Sequence, residues 1–137
     1  MTSESKIVVR YSETDQMGIV HHSVYPIWYE VARTDYVKLV GMTYSDMENA
    51  GVMMPLLELK CKYRSAAHYE DELTVQVKIS MLTPVRIEFE YAIYKSKQQK
   101  PIHTGSTLHV WVNKNMRPIN LKKFNPDIYS AIEITLA

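Results

Sequence analysis

Four stretches from residue 57 onward alternate apolar and polar residues with a period of two. In 57–64, Leu57, Leu59, Cys61 and Tyr63 oppose Glu58, Lys60, Lys62 and Arg64. In 73–81, Leu73, Val75, Val77, Ile79 and Met81 oppose Thr74, Gln76, Lys78 and Ser80, and 85–93 repeats the pattern through Val85, Ile87, Phe89, Tyr91 and Ile93. The fourth stretch, 106–113, sets Ser106, Leu108, Val110 and Val112 against Thr107, His109, Trp111 and Asn113. Successive side chains of a strand point to opposite faces, so this pattern predicts an antiparallel sheet covered on one face only. Links such as "LTP" and "KSKQQKP" leave no room for helical crossovers and predict that the strands meander as neighbours. A further short strand is expected over 6–12.

The remaining long element has helical spacing. At about 100° per residue, Tyr25, Trp28, Tyr29, Ala32, Tyr36, Leu39 and Val40 fall on one arc, and Glu30, Arg33, Thr34, Asp35 and Lys38 fall elsewhere. Ser23 is the expected N-cap, Pro26 lies in the first turn, where a missing N–H costs nothing, and Gly41 is the stop. The prediction is a helix over 23–40. "TYSDMENAG" reads as a short helix ending at Gly51, and "NPDIYSAIEI" as a final one capped by Asn125 with Pro126 at its first position. Only the 23–40 helix is long enough to cover the sheet, which predicts an α+β fold: a curved antiparallel sheet of about five strands around one helix. Trp111 and Tyr94 sit on the polar strand phases, as an oligomer contact or as ordinary scattered surface aromatics.

Composition narrows the function. A chain of 137 residues suits a single domain, 1–137, with a core over about 6–118 and a C-terminal extension over 119–137. Sixteen basic and fifteen acidic residues leave a formal charge of +1, which lacks the basic footprint of a nucleic-acid binder. No stretch approaches the roughly 20 apolar residues of a membrane span, and the N-terminus lacks the apolar region of a signal peptide. A cytoplasmic protein is expected, in keeping with a single cysteine, Cys61, on an apolar strand phase, where it reads as a core residue.

Chemistry concentrates in "RYSETDQMGIVHHSVYPIWYEVAR", Arg10 to Arg33. A connection that packs carboxylates, a glycine, two histidines and a helix start into about ten residues exceeds what simple linkage needs. Asp15, with Glu13 two residues earlier, could activate water or attack a carbonyl, or could serve only as a turn residue. Unpaired backbone N–H groups near His22 and Ser23, at the positive end of the helix dipole, suit an oxyanion. Gly18 allows close approach of a bound group. His22 could equally hold the loop through local hydrogen bonds. His21 and His22 are adjacent and point apart, which is poor metal spacing, so no metal site is expected. Serine-hydrolase, P-loop and dinucleotide motifs are missing from the sequence. Lys60, Lys62, Arg64 and Arg86, on polar strand phases, could meet phosphates or simply face solvent.

The stretch "RYSETDQMGIVHHSVYPIWYEVARTDY" strongly resembles the signature of acyl-CoA thioesterases of the 4-hydroxybenzoyl-CoA thioesterase type, which have the hotdog fold. The likeness continues through "GMTYSDMENAGVMMPLLELKCKYRSAAHYEDELTV", "RIEFEYAIY" and "GSTLHVWVN", over about residues 7–118. The chain departs from it at "SAAHYEDEL", where family members often carry a Pro-Ala pair. The resemblance implies Asp15 as the catalytic carboxylate, with the N–H near His22 polarising the thioester carbonyl and the His22 side chain assisting. Gly18, Ser23 and Tyr25 would contact substrate, and Lys62, Arg64 and Arg86 the nucleotide end of CoA. It also implies a homodimer or dimer of dimers with shared sites, a homotetramer in the latter case, and no cofactor. Two alternatives stand beside this expectation: a thioesterase acting on acyl carrier protein, and a non-catalytic acyl-CoA binder.

Overall fold

The structure, a computed structural model, describes residues 1–136. Five antiparallel strands form one sheet: β1 (Ser3–Val8), β2 (Leu56–Tyr63), β3 (Glu72–Leu82), β4 (Arg86–Lys95) and β5 (His103–Val110), in the order β1-β3-β4-β5-β2. The long helix α1 spans Tyr25–Val40 and follows a single 3-10 turn, His22–Val24. Three short helices complete the chain: α2 (Tyr44–Asn49), α3 (Leu121–Phe124) and α4 (Pro126–Glu133). The hotdog arrangement expected above is therefore present, with α1 lying against β1 and β3.

The alternation holds from Leu73 to Ile79 in β3 and from Ile87 to Ile93 in β4, while Val85, just before β4, is exposed and the register shifts between Ile79 and Met81. Leu73, Val75, Val77, Ile87, Phe89, Tyr91 and Ile93 are all buried against α1, whose own Trp28, Tyr29, Ala32 and Tyr36 are buried opposite them. Tyr29 stacks flat on Tyr91 with ring centres 4.0 Å apart, and Tyr36 meets Phe89 edge-on. Gly105 of β5 makes this packing possible, because a Cβ there would collide with both the Tyr29 hydroxyl and the Lys60 carbonyl.

Several expectations are corrected. The first strand begins and ends earlier than 6–12, since the chain turns at Arg10 into a 3-10 turn, Tyr11–Glu13. Leu39 is exposed rather than buried, because the last turn of α1 faces the core through Val37 and Val40 instead. Ser23 is not the cap: His21 precedes the 3-10 turn in extended conformation, and its Nδ1 accepts from the Ser23 N–H. The strands do not all meander. β3, β4 and β5 do, but β2 pairs with β5 at the far edge, because the 64–71 connection crosses the sheet end, roughly 14 Å at the usual strand spacing. As an edge strand β2 is little covered, so Leu57 and Leu59 stand exposed.

The largest correction concerns β5. Its buried face is the one that reads as polar: His103, Thr107 and His109 are buried, and Trp111 just beyond the strand is fully buried, which removes it as a contact surface. Tyr94 remains half-buried on the outer face. The C-terminal segment also does more than extend the core. Leu121, Tyr129 and Ile132 are part of it, and Thr135 accepts from the Tyr36 hydroxyl at 2.7 Å.

Candidate active site

The loop before α1 is a tight turn. Thr14 and Val20 form an isolated bridge, the Gly18 N–H donates to the Asp15 carbonyl at 2.9 Å, and the Asp15 N–H donates to Ile19. Gly18 takes φ 81°, a left-handed value that glycine adopts without strain, and no atom lies within 4 Å of where its Cβ would stand. The Val20 N–H donates to the Ala67 carbonyl, so "SAAHYEDEL" is the strap that anchors this loop.

The two carboxylates have different surroundings. Glu13 is buried and accepts from the Arg10 N–H at 2.8 Å, the Arg10 guanidinium at 3.3 Å and the Trp28 indole N–H at 3.0 Å. Burial by itself raises its pKa, but these hydrogen bonds and the Arg10 charge outweigh burial and hold it below the ordinary carboxylate value. Asp15 is half-exposed, with Oδ1 accepting from the Met17 N–H at 2.8 Å. Among the described residues, that is the one hydrogen bond its carboxylate makes. Glu13 is thus saturated, and Asp15 keeps oxygen lone pairs available.

At the helix start, the Ser23 and Val24 N–H groups are already used by His21, at 3.2 Å to Nδ1 and 3.0 Å to the carbonyl. Ser23 Oγ lies 2.7 Å from the same Nδ1. The His22 N–H finds no protein acceptor among the described residues, which narrows the available donors to His22. The His22 side chain is exposed with its ring 4.2 Å from that of His21, and its carbonyl accepts from the Tyr63 hydroxyl at 2.8 Å, tying the helix start to β2. Tyr25 is buried, stacked on His103 at 4.3 Å, so in the single chain it supports the helix start from beneath rather than facing a ligand.

The basic residues do not converge. Lys62 faces a concavity of about 600 Å³ on the outer sheet face, with Lys60, Lys78 and Tyr94. Arg64 follows β2 at the His103 end of the sheet, whereas Arg86 begins β4 beside Val110 at the opposite end.

Sequence reasoning missed a buried polar line. Arg33 of α1 donates to the Tyr91 hydroxyl (2.9 Å), Tyr91 and Thr107 are 2.7 Å apart, Thr107 and His109 Nε2 2.9 Å, and His109 Nδ1 and the Met54 carbonyl 3.0 Å. A guanidinium only donates and a carbonyl only accepts, so every bond runs one way, and His109 must carry its proton on Nδ1. Burial, chiefly, and the Arg33 charge depress the His109 pKa to about 4; burial does the same at His103, whose Nε2 meets the Tyr29 hydroxyl. Both rings are neutral at ordinary pH. A second histidine six residues before His109 on the same strand phase was the available signal.

Similar proteins identify the family of the chain. A family model described as the Thioesterase-like superfamily matches residues 9–132. YneP of Bacillus subtilis (strain 168), provisionally named an acyl-CoA thioesterase, is 38% identical over 96% of this chain and 95% of its own. ATL3 of Arabidopsis thaliana, a chloroplastic acyl-acyl carrier protein thioesterase, is 28% identical over 86% of this chain and 62% of its own. Among solved structures, a DHNA-CoA thioesterase from Staphylococcus aureus superposes with a TM-score of 0.92 and 32% identity, covering 98% of this chain and 91% of the other. With its sheet, its central helix and nearly its whole length matched in this way, the chain belongs to the thioesterase-like superfamily of hotdog-fold proteins.

Proposed function

We propose that the protein is an acyl-CoA thioesterase in which Asp15 is the catalytic carboxylate and the His22 N–H polarises the thioester carbonyl. The observation that carries this reading is the contrast within one loop: a saturated Glu13 beside an Asp15 with open lone pairs, seven residues before the 3-10 turn His22–Val24, where the His22 N–H is unclaimed. Asp15 takes a proton from water as the water oxygen bonds to the acyl carbon, the carbonyl oxygen gains charge against the His22 N–H, and the C–S bond breaks to release the thiolate, which recovers the proton. Attack by Asp15 itself, through an anhydride that water then opens, fits the same groups. After a single turnover in heavy-oxygen water, a protein-derived oxygen in the product acid would establish the anhydride route, with water opening it at the Asp15 carbonyl carbon.

The cofactor-free chemistry rests on the thioester, which already carries a good leaving group. Gly18 leaves room for the acyl group, and Lys62 and Arg64 are the basic residues near one another that could meet CoA phosphates; Arg86 would need a second subunit to join them. A homodimer or dimer of dimers with shared sites agrees with the open edge of β2, where Leu56, Leu57 and Leu59 are exposed, and with Ile27 and Val31 exposed on α1. A solution mass equal to one chain of 15.9 kDa would contradict it.

The similarity to ATL3 keeps carrier-protein thioesters as a second reading. Thiol release from matched acyl-CoA and acyl-carrier-protein substrates decides between them, with faster acyl-CoA turnover expected. Tight acyl-CoA binding without any thiol release would instead leave a non-catalytic binder. The described helices include none long and apolar enough to cross a membrane.

A further inference from the structure

The turn that leads into α1 presents three backbone N–H groups in succession, at His22, Ser23 and Val24, and one residue, His21, occupies two of them. The His21 carbonyl accepts from the Val24 N–H at 3.0 Å, and its ring Nδ1 accepts from the Ser23 N–H at 3.2 Å, with Ser23 Oγ 2.7 Å from the same nitrogen. His21 is itself pinned, because its N–H donates to the Glu13 carbonyl at 2.9 Å. A ring nitrogen that accepts carries no hydrogen, so the neutral ring holds its proton on Nε2. Here a histidine does the capping work that serine, threonine or asparagine usually performs. Unlike a hydroxyl or an amide, an imidazole loses its acceptor when it gains a proton. A hydrogen on Nδ1 would still donate to Ser23 Oγ but would oppose the Ser23 N–H, and the charged ring would lie at the positive end of the α1 dipole. The titratable group that faces His21 is the His22 ring, 4.2 Å away. Glu13 meets it through the backbone, its carboxylate being turned to Arg10 and Trp28, and among the described residues no carboxylate is in ion-pair contact with His21.

We propose that His21 is a positioning residue for thioester cleavage: its uncharged ring keeps the Ser23 N–H occupied, so that the substrate carbonyl oxygen meets the His22 N–H alone and in one pose. This rests on the thioesterase reading above. With the ring disengaged, the Ser23 N–H would compete for that oxygen and the turn would lose one of its ties, so a smaller share of bound substrate would have its carbonyl carbon aligned with Asp15. Binding energy from the rest of the CoA thioester is untouched, which places the loss on kcat rather than on KM. The neutral ring prevails at higher pH, so its contribution is present there and is lost as pH falls and the ring takes a proton.

The test measures thiol release from one acyl-CoA by wild type, His21→Ala and His21→Asn, from about pH 8 to about pH 5, the range over which histidine side chains change charge. An asparagine side chain also bonds the backbone two residues on, but it does not titrate. At the upper end of the range His21→Ala should lose roughly tenfold in kcat, the rate equivalent of one hydrogen bond, with KM within about twofold of wild type, and His21→Asn should recover most of that loss. Towards acid, the ratio of His21→Asn to wild-type kcat should climb, by up to roughly tenfold as wild type approaches the level of His21→Ala. The climb should persist in a His22→Gln background, which removes the neighbouring ring. A cap that served stability alone would lower the Tm of His21→Ala without producing this pH-dependent ratio, and the ratio can be read even if His21→Ala fails to fold. Equal pH profiles for wild type and His21→Asn, a climb that vanishes with His22→Gln, a His21→Asn protein as slow as His21→Ala at the upper end, or wild-type kcat in His21→Ala would overturn the proposal with the thioesterase reading intact. Absence of turnover by wild type with every acyl-CoA would remove that reading and this one together.

Discussion

The Asp15 loop and the buried face of β5 are both polar regions flanking α1, and they are built in opposite ways. On β5, Thr107 and His109 are enclosed and joined bond by bond from Arg33 to the Met54 carbonyl. In the loop, the Asp15 carboxylate is half-exposed with a single N–H on one oxygen, and the His22 N–H is left over. Buried polar groups that pair fully fix shape, since any loss leaves a partner stranded, whereas groups that remain available can meet a substrate. Glu13 lies in the loop by sequence but belongs with the saturated set by its bonding.

The sharpest way to test the saturated side is Gly105→Ala, because the new Cβ would meet the Tyr29 hydroxyl and the Lys60 backbone together. Backbone cannot swing aside, so a loss of about 3 kcal/mol or more is expected in denaturant unfolding. Acid should act next. His103 and His109 have folded pKa values lowered to about 4 from an ordinary 6.5, so between those limits the unfolded chain binds the extra protons. Stability should therefore be complete above about pH 6.5 and fall as pH drops towards 4, by up to roughly 3 kcal/mol for each ring. A chain equally stable at pH 7 and pH 4.5 would contradict their neutral burial.

Glu13→Ala strands the buried Trp28 N–H and should cost about 2 kcal/mol. The lowered Glu13 pKa has its own signature: its stabilisation is present above its unfolded value of 4.5 and is lost as pH falls from there through the folded value, a loss the variant should not show. Smallest is Tyr63→Phe, which removes one exposed hydrogen bond to the His22 carbonyl and should cost about 1 kcal/mol or less. If it instead unfolds the protein, the helix start is held by β2 far more strongly than this single bond implies.

The same contrast explains what the sequence made legible. The helix, the β3 and β4 faces and the turn around Gly18 follow from local patterns that agree with the global fold. The face of β5 does not. Alternation identifies two faces but assigns the inner one by polarity, and here Leu108 and Val110 are only half-buried while Thr107 and His109 go inside, because Tyr91 and Met54 offer them partners that no local pattern reveals. The placement of β2 beside β5 likewise depends on where the 64–71 connection is anchored, at Val20 through Ala67, which is a long-range contact. At the site, Asp15 is singled out by the resemblance of its stretch to a thioesterase signature, while the residues alone leave a turn role open; the use of the Ser23 N–H by the His21 ring depends on a side-chain orientation that spacing does not carry.

The central claim is that Asp15 is kept for chemistry, and the most direct measurement is the kcat for thiol release from the best acyl-CoA substrate by Asp15→Asn, alongside its Tm. The asparagine oxygen can still accept from the Met17 N–H, so the turn should survive and Tm should stay within about 1 °C of wild type, while kcat falls by roughly 100-fold or more. A folded Asp15→Asn protein that turns over at the wild-type rate would show that Asp15 is only a turn residue, and the site would have to be sought elsewhere in the fold.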